Sequence, residues 1–299
     1  MRLGTSRNRF TVAAALLAAS TFSSAALAAE LPSEPPAELV RRTAHNELSA
    51  SGGNEKYMFL DRKQNAHGSQ TKLMVQTREA MAGLVVANDG KPLDTEQRQE
   101  EYQRVERFVN DPDELRKKQK QEKDDTERVK RIMRALPDAF LYQYDGTMAG
   151  TQGVGSPGDP LVRLKFRPNP DYNPPSRVEQ VLTGMKGYLL IDTKHNRIAK
   201  IDGKLEKEVG FGWGILGHLD PGGHFLVEQG DVGDDHWEVT RMDLSFTGKI
   251  LIFKSLNIQS EEVSSHFQPV SPDLTFAQGV DLLKKHEAEM AKNGIPALR

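Results

Sequence analysis

Between Lys186 and Phe267 the chain alternates short apolar runs with clusters of Gly, Asn and Asp, and no helical period interrupts it. Runs such as 187–192, 197–205, 224–232, 236–246 and 249–258, rich in Ile, Leu, Val and Phe, predict consecutive antiparallel hairpins. Tyr188 to Ile191 is apolar on both faces, as is the run from Lys249 to Phe253, so both strands should be covered on each side. The stretch His236 to Phe246 is polar at many alternate positions, which predicts one wet face. The expected element is a large twisted sheet with one covered face and a second, concave face that is partly open.

Upstream, Leu39, Val40, Ala44 and Leu48 share a stripe and predict a helix over 37–48, stopped by Ser51-Gly52-Gly53-Asn54. Lys56 to Lys63 and Thr71 to Arg78 read as a hairpin, with a third strand over 82–86. Leu93 to Leu136 differs in kind. More than half of it is charged, with both signs interleaved around a thin stripe that includes Tyr102, Val105, Phe108, Leu115, Val129, Ile132 and Met133. It predicts one or two helices broken near Asn110-Asp111-Pro112, because a proline pushes the residue before it out of the helical region. Its charges at i,i+4 spacing describe either a solvated arm or a docking arm for a partner. Ala139 to Met148 and Leu161 to Arg167 return to strand alternation. The Gly-rich stretch 149–160 between them has the composition of a structureless loop. A proline-rich connector, a short helix over 177–185 and a closing helix over 275–292 complete the pattern.

Composition changes the picture in three ways. The first residues carry Arg2, Arg7 and Arg9 without an acid, followed by an Ala-rich apolar run that ends in Ala26-Leu27-Ala28. This is the pattern of a secretory signal over 1–28, leaving 29–299 as a single exported, periplasmic domain. The run is too poor in strongly apolar residues for a spanning helix, so an integral membrane protein is not expected. Among 299 residues there is no cysteine, so neither disulfides nor a lipidated N-terminal Cys can hold the chain. The balance of 40 basic to 42 acidic residues has no concentrated basic face and argues against nucleic acid as a partner.

Candidate chemistry is thin. Gly212 to Gly217 matches the glycine spacing of a dinucleotide loop, but a turn follows where a helix should open. The better reading puts Phe211, Trp213 and Ile215 on one strand face, with Gly210, Gly212 and Gly214 leaving the other bare for a close approach. His218, His224 and His236, with Asp220, Asp231, Asp234 and Asp235, are the local crowding of metal-ligand types. Their spacing suits a hairpin tip better than a zinc or calcium site, so no metal is expected. No nucleophile elbow and no H-E-x-x-H occurs, and Glu261 and Glu262 point to opposite faces of a strand. A non-catalytic protein without a cofactor is the expectation.

The order of elements, with Gly187 to Leu205 (GYLLIDTKHNRIAKIDGKL) and Trp237 to Lys254, resembles the periplasmic lipoprotein carriers of the LolA/LolB type. The closer likeness is to the larger proteins described as outer-membrane lipoprotein-sorting-like. The resemblance implies an α+β fold: a curved antiparallel sheet forming an incomplete, half-open barrel, with helices covering its concave side. Here it would carry the charged helical insertion 93–136 and the loop 149–160. It implies a monomeric envelope carrier or sensor that binds a lipid or lipoprotein acyl chain in an apolar cavity. The lining residues would be Leu164, Phe166, Leu190, Phe225, Val227, Trp237, Val239, Ile250 and Ile252. The alternative is an envelope interaction or stress-sensing module that meets a protein partner through the charged arm, with the sheet as scaffold.

Overall fold

The alternating runs are strands, and their register joins them into one sheet. The computed structural model describes residues 31–50, 53–211, 217–250 and 254–297, so the stretch 1–28, expected to be a secretory signal, lies outside the described residues. A first helix, α1 (Pro36–Ala50), leads into β1 (Lys56–Asn65), β2 (Gly68–Gln76), β3 (Met81–Asn88) and the two-residue β4 (Lys91–Pro92). The charged segment follows as α2 (Thr95–Asn110) and α3 (Pro112–Ala139). Next come β5 (Phe140–Ala149), β6 (Pro160–Pro168) and α4 (Arg177–Gln180), which runs into a 3-10 turn. The strands β7 (Met185–Asp192), β8 (Arg197–Leu205), β9 (Val209–Phe211), β10 (Gly217–Leu219), β11 (His224–Gly233), β12 (His236–Ile250) and β13 (Lys254–Val270) precede α5 (Phe276–Asn293).

The fold is α+β, with five helices and one antiparallel sheet of 13 strands among the described residues. Its order is β4-β3-β2-β1-β13-β12-β11-β8-β7-β6-β5, with β9 and β10 as a side ribbon on β12, so the sheet is not closed. The last strand inserts beside the first: β13 pairs β1 on one side and β12 on the other. This pairing unites the early meander with the later one.

Directly paired residues share a face. Following the register from Leu164 through Leu189, Ile201, Val227, Met242 and Glu262 to Lys63 carries one face across the sheet. Leu60, three residues from Lys63, points the other way. The two main cores therefore sit on opposite faces. On the first, Leu39 and Val40 of α1 and Leu136 of α3 pack against Val162, Leu164, Phe166, Leu189 and Ile191. On the second, Val105 of α2 and Phe276, Val280 and Leu283 of α5 cover Met58, Leu60, Leu73, Val75 and Leu84. Burial of a strand on both sides, expected for Tyr188 to Ile191, holds for Leu189, Leu190 and Ile191.

The break in the charged segment falls at Asp111. Its backbone is extended, and its carboxylate accepts the N–H groups of Asp113 and Glu114, capping α3 with Pro112 in the first turn. The two helices then run along the outer side of β3, where β4 pairs only Ala87 and Asn88 and the outward backbone groups from Met81 to Val85 have no strand beside them among the described residues. Glu122 accepts the Met81 N–H at 3.1 Å, Glu101 accepts the Val85 N–H at 2.7 Å, and Arg104 donates to the Gly83 carbonyl at 2.7 Å. Arg104 also forks onto Glu101 at 2.6 and 2.7 Å. Part of the interleaved charge is thus spent on satisfying an edge strand.

The Gly-rich stretch has structure, contrary to the expectation from its composition. The Gly155 N–H bonds the Gln229 carbonyl at 2.9 Å, and Thr240 Oγ1 donates to the Gly153 carbonyl at 2.6 Å. Gly155 has φ +74°, and a Cβ there would sit 2.8 Å from Leu161. Glycine is required for that approach, and the loop closes over a third, small core of Leu161, Leu190, Ala199 and Trp237.

Candidate functional site

On the face that carries α1, the thin apolar stripe of the charged segment meets the sheet. Ile132 and Leu136 of α3, Phe140 and Tyr142 of β5, Phe166 of β6, Leu182, Met185 and Leu189, Ile201 and Gly203 of β8, and Phe225 of β11 enclose a cavity of about 50 Å³. Its walls are apolar. The Tyr142 hydroxyl turns away to donate to the Leu136 carbonyl at 2.6 Å, and burial holds its pKa far above the phenolic value. From Phe225 a row of half-buried apolar side chains continues on the same face through Val227, Met242, Leu244, Phe246 and Leu256, ending at Ile258, which is exposed.

Of the nine residues expected to line one surface, the structure brings four to this face. Leu164 and Phe166 lie in its core, and Phe225 and Val227 lie in the row. Leu190 and Trp237 lie on the opposite face, packed together under the Gly-rich loop. Val239 is exposed beside His236 and Trp237. Ile250 ends β12, with its side chain outside the described residues, and Ile252 lies outside them altogether. The void's walls at Ile132, Leu136, Met185 and Ile201 were not among the nine. Ile132 and Leu136 stand one helical turn apart, and that spacing was the available signal.

The polar candidates disperse. His224 meets Asp202 at 3.1 Å, His218 meets Asp220 at 3.3 Å, and His236 lies between Glu55 at 2.9 Å and Glu238 at 3.1 Å, stacked on Tyr57. Glu262 pairs with Lys63 on one face and Glu261 with Arg241 on the other, as their adjacency required. Gly212 to Leu216, most of the glycine-spaced motif, lies outside the described residues. His195, in the turn between β7 and β8, was not singled out from the sequence, yet it lies within reach of three carboxylates, those of Asp159, Asp192 and Asp235.

Two carboxylates act as hubs. Glu47 of α1 is buried, and its Oε1 takes the Arg197 Nε at 3.0 Å, the Ile198 N–H at 2.7 Å and the Gln229 amide at 2.7 Å, fixing α1 to β8 and β11. Glu287 of α5 accepts from the Tyr102 hydroxyl at 2.6 Å and pairs with Arg98 at 2.9 Å, locking α5 to α2. Burial, with that hydrogen bond behind it, pushes the Tyr102 pKa up to about 12.

Compared with known protein families and with curated proteins, the chain matches none. Among the described residues no helix is long and apolar enough to cross a membrane.

Proposed function

We propose that the protein is an exported, non-catalytic carrier or sensor of the LolA/LolB kind, which holds an acyl chain or similar lipid moiety between its sheet and α3. The observation that carries this reading is the apolar row from Phe225 to Ile258, which leads into the small void beneath Ile132 and Leu136. The void alone would take the tip of a chain, and the row would take the rest. Each methylene removed from water contributes about 0.8 kcal/mol, so such a surface needs few polar contacts to hold its cargo.

A half-open barrel, concave on this face, is part of the proposal and has support in the span of α3. Glu122 touches one edge strand of the main run, β3, and Leu136 touches the other, β5. Between those residues a helix rises about 21 Å at ~1.5 Å per residue. A flat sheet would set β3 and β5, nine strand spacings apart in the observed order, about 43 Å from each other. The Glu122 and Tyr142 side chains add their reach at each end without filling the difference, which supports a curled sheet.

The second reading, an interaction module acting through the charged arm, has less behind it. The arm's charges are taken up by pairs such as Lys120 with Asp124 and Lys118 with Glu122, and by the β3 edge.

The test is a titration of the purified chain with a fluorescent fatty acid, alongside native mass spectrometry of protein drawn from an envelope extract. Saturable binding that Leu244→Arg abolishes, in a variant that still folds, is the expected result. A chain that carries no lipid out of the envelope and leaves the probe dark would end the carrier reading.

A further inference from the structure

The turn between β7 and β8 collects buried polar atoms that make no hydrogen bond. Of the eight such side-chain atoms among the described residues, Asp192 Oδ2, His195 Nδ1 and Asn196 Oδ1 belong to this turn, and Trp237 Nε1 belongs to the indole packed against it. Asp192 is fully buried. Its Oδ1 accepts the N–H groups of Lys194 and His195, each at 3.0 Å, which fixes the carboxylate and aims Oδ2 at His195 Nδ1, 3.1 Å away. Asp159, at the end of the Gly-rich loop, brings Oδ2 to 3.7 Å from the same nitrogen. One donor atom from each of the three side chains fits within 4.8 Å of the others.

We propose that Asp159, Asp192 and His195 form a binding site for a divalent transition metal of the zinc type. Zinc bonds to imidazole nitrogen and carboxylate oxygen of about 2.0–2.1 Å, set tetrahedrally, place neighbouring donors roughly 3.4 Å apart. The observed 3.1 and 3.7 Å straddle that value. An imidazole ligand favours zinc and its neighbours over calcium or magnesium, which prefer all-oxygen shells. The outer partners also suit a metal. Asp235 Oδ1 lies 3.4 Å from His195 Nε2, where a carboxylate selects the tautomer that leaves Nδ1 free to ligate. Lys194 Nζ now holds Asp159 at 3.0 and 3.3 Å, but the lysine is exposed on a flexible stem and can give way to the ion. Bound there, the metal clips the Gly-rich loop to the β7–β8 turn and holds the small core around Trp237 closed. Three protein ligands leave a further position for water or for a donor atom of a ligand.

The experiment strips the full chain with EDTA and titrates Zn²⁺ by calorimetry and by tryptophan emission in a Trp213→Phe background, which leaves Trp237 as the reporter 5.8 Å from the His195 ring. Co²⁺ in place of Zn²⁺ reports the geometry through its visible spectrum. The expected result is one ion per chain, a change in Trp237 emission, protection of residues 150–159 from limited proteolysis, and affinity lowered at least tenfold in Asp192→Asn and His195→Gln. His195 is only partly buried, whereas Asp192 is fully buried, so the His195 variant carries the test should Asp192→Asn fail to fold. No binding at Zn²⁺ concentrations of about 100 µM, far above a specific structural site, would overturn the proposal. Equal affinity in the wild type and His195→Gln would do the same, since it would assign the ion to other surface carboxylates and histidines.

Discussion

The two helical coverings of the sheet are built on different physics. Over β1–β3, α2 and the start of α3 are stitched down by charge: Glu101, Arg104 and Glu122 bond the backbone of β3, and Glu287 ties α5 to Arg98 and Tyr102. Over β5–β8, the last turns of α3 rest on Ile132, Met133 and Leu136, with the Tyr142 hydrogen bond at the end. Polar stitching fixes position, because each bond lost in the interior leaves a group unsatisfied. Apolar contact tolerates displacement when another apolar surface takes its place. The difference teaches where a guest of the proposed kind would enter: at the end where the helix's side-chain ties, from Asn169 and Arg41 to Asp138 and from Tyr142 to Leu136, are mostly exposed and can pass to water, which is also where the void lies.

The α1 anchor offers the most severe way to break this contrast. Glu47→Ala strands Arg197, the Ile198 N–H and Gln229 and should destabilise the chain by about 3–5 kcal/mol in urea unfolding. Leu189→Ala removes a fully buried floor residue beside the void and should cost about 2–4 kcal/mol. If the void is where cargo starts, the same variant should bind the fatty-acid probe more tightly, whereas an equal loss at Leu73 on the other face should leave probe binding unchanged. Glu101→Ala should cost about 2–3 kcal/mol by freeing both Arg104 and the Val85 N–H.

Asp61 sharpens the contrast through pH. Burial, with repulsion from Glu262, pushes its pKa up to about 6, and the Ser264 hydroxyl pulls the other way. Between about pH 4 and pH 6 the folded chain keeps a proton that the unfolded chain has released, so stability falls as pH rises through that window and levels off above it. Asp61→Asn should remove the slope and gain about 2 kcal/mol at pH 7, read from unfolding midpoints across pH. The smallest effect belongs to the loosely held end: Tyr142→Phe deletes its hydrogen bond and should cost about 1 kcal/mol by thermal melting.

Much of this architecture can be read from residues. Alternation located the strands, and Asp111-Pro112 placed the break between α2 and α3, because both depend on local geometry. Face assignment could not be read in the same way. Leu164 sits in an alternating run and Leu190 in a run apolar on both faces, and neither pattern says which side is which, since the side is set by register with distant strands and by what happens to pack there. The union of β1 with β13, about two hundred residues apart, has no local mark. Gly155 misled for another reason: glycine signals freedom in composition, whereas here it holds a φ of +74° that side chains rarely adopt, close against Leu161. His195 was overlooked because its partners, Asp159 and Asp235, come from two other loops that only the fold assembles.

One consequence concerns solubility. β3 is synthesised before the helices that cover it, and its side of the sheet offers ready hydrogen bonds to any extended chain that drifts past, a second copy of this protein included. Glu101, Arg104 and Glu122 occupy those bonds. Shortening the charged arm would therefore do more than lose a surface feature: it would bare an edge at which copies of the chain can join strand to strand.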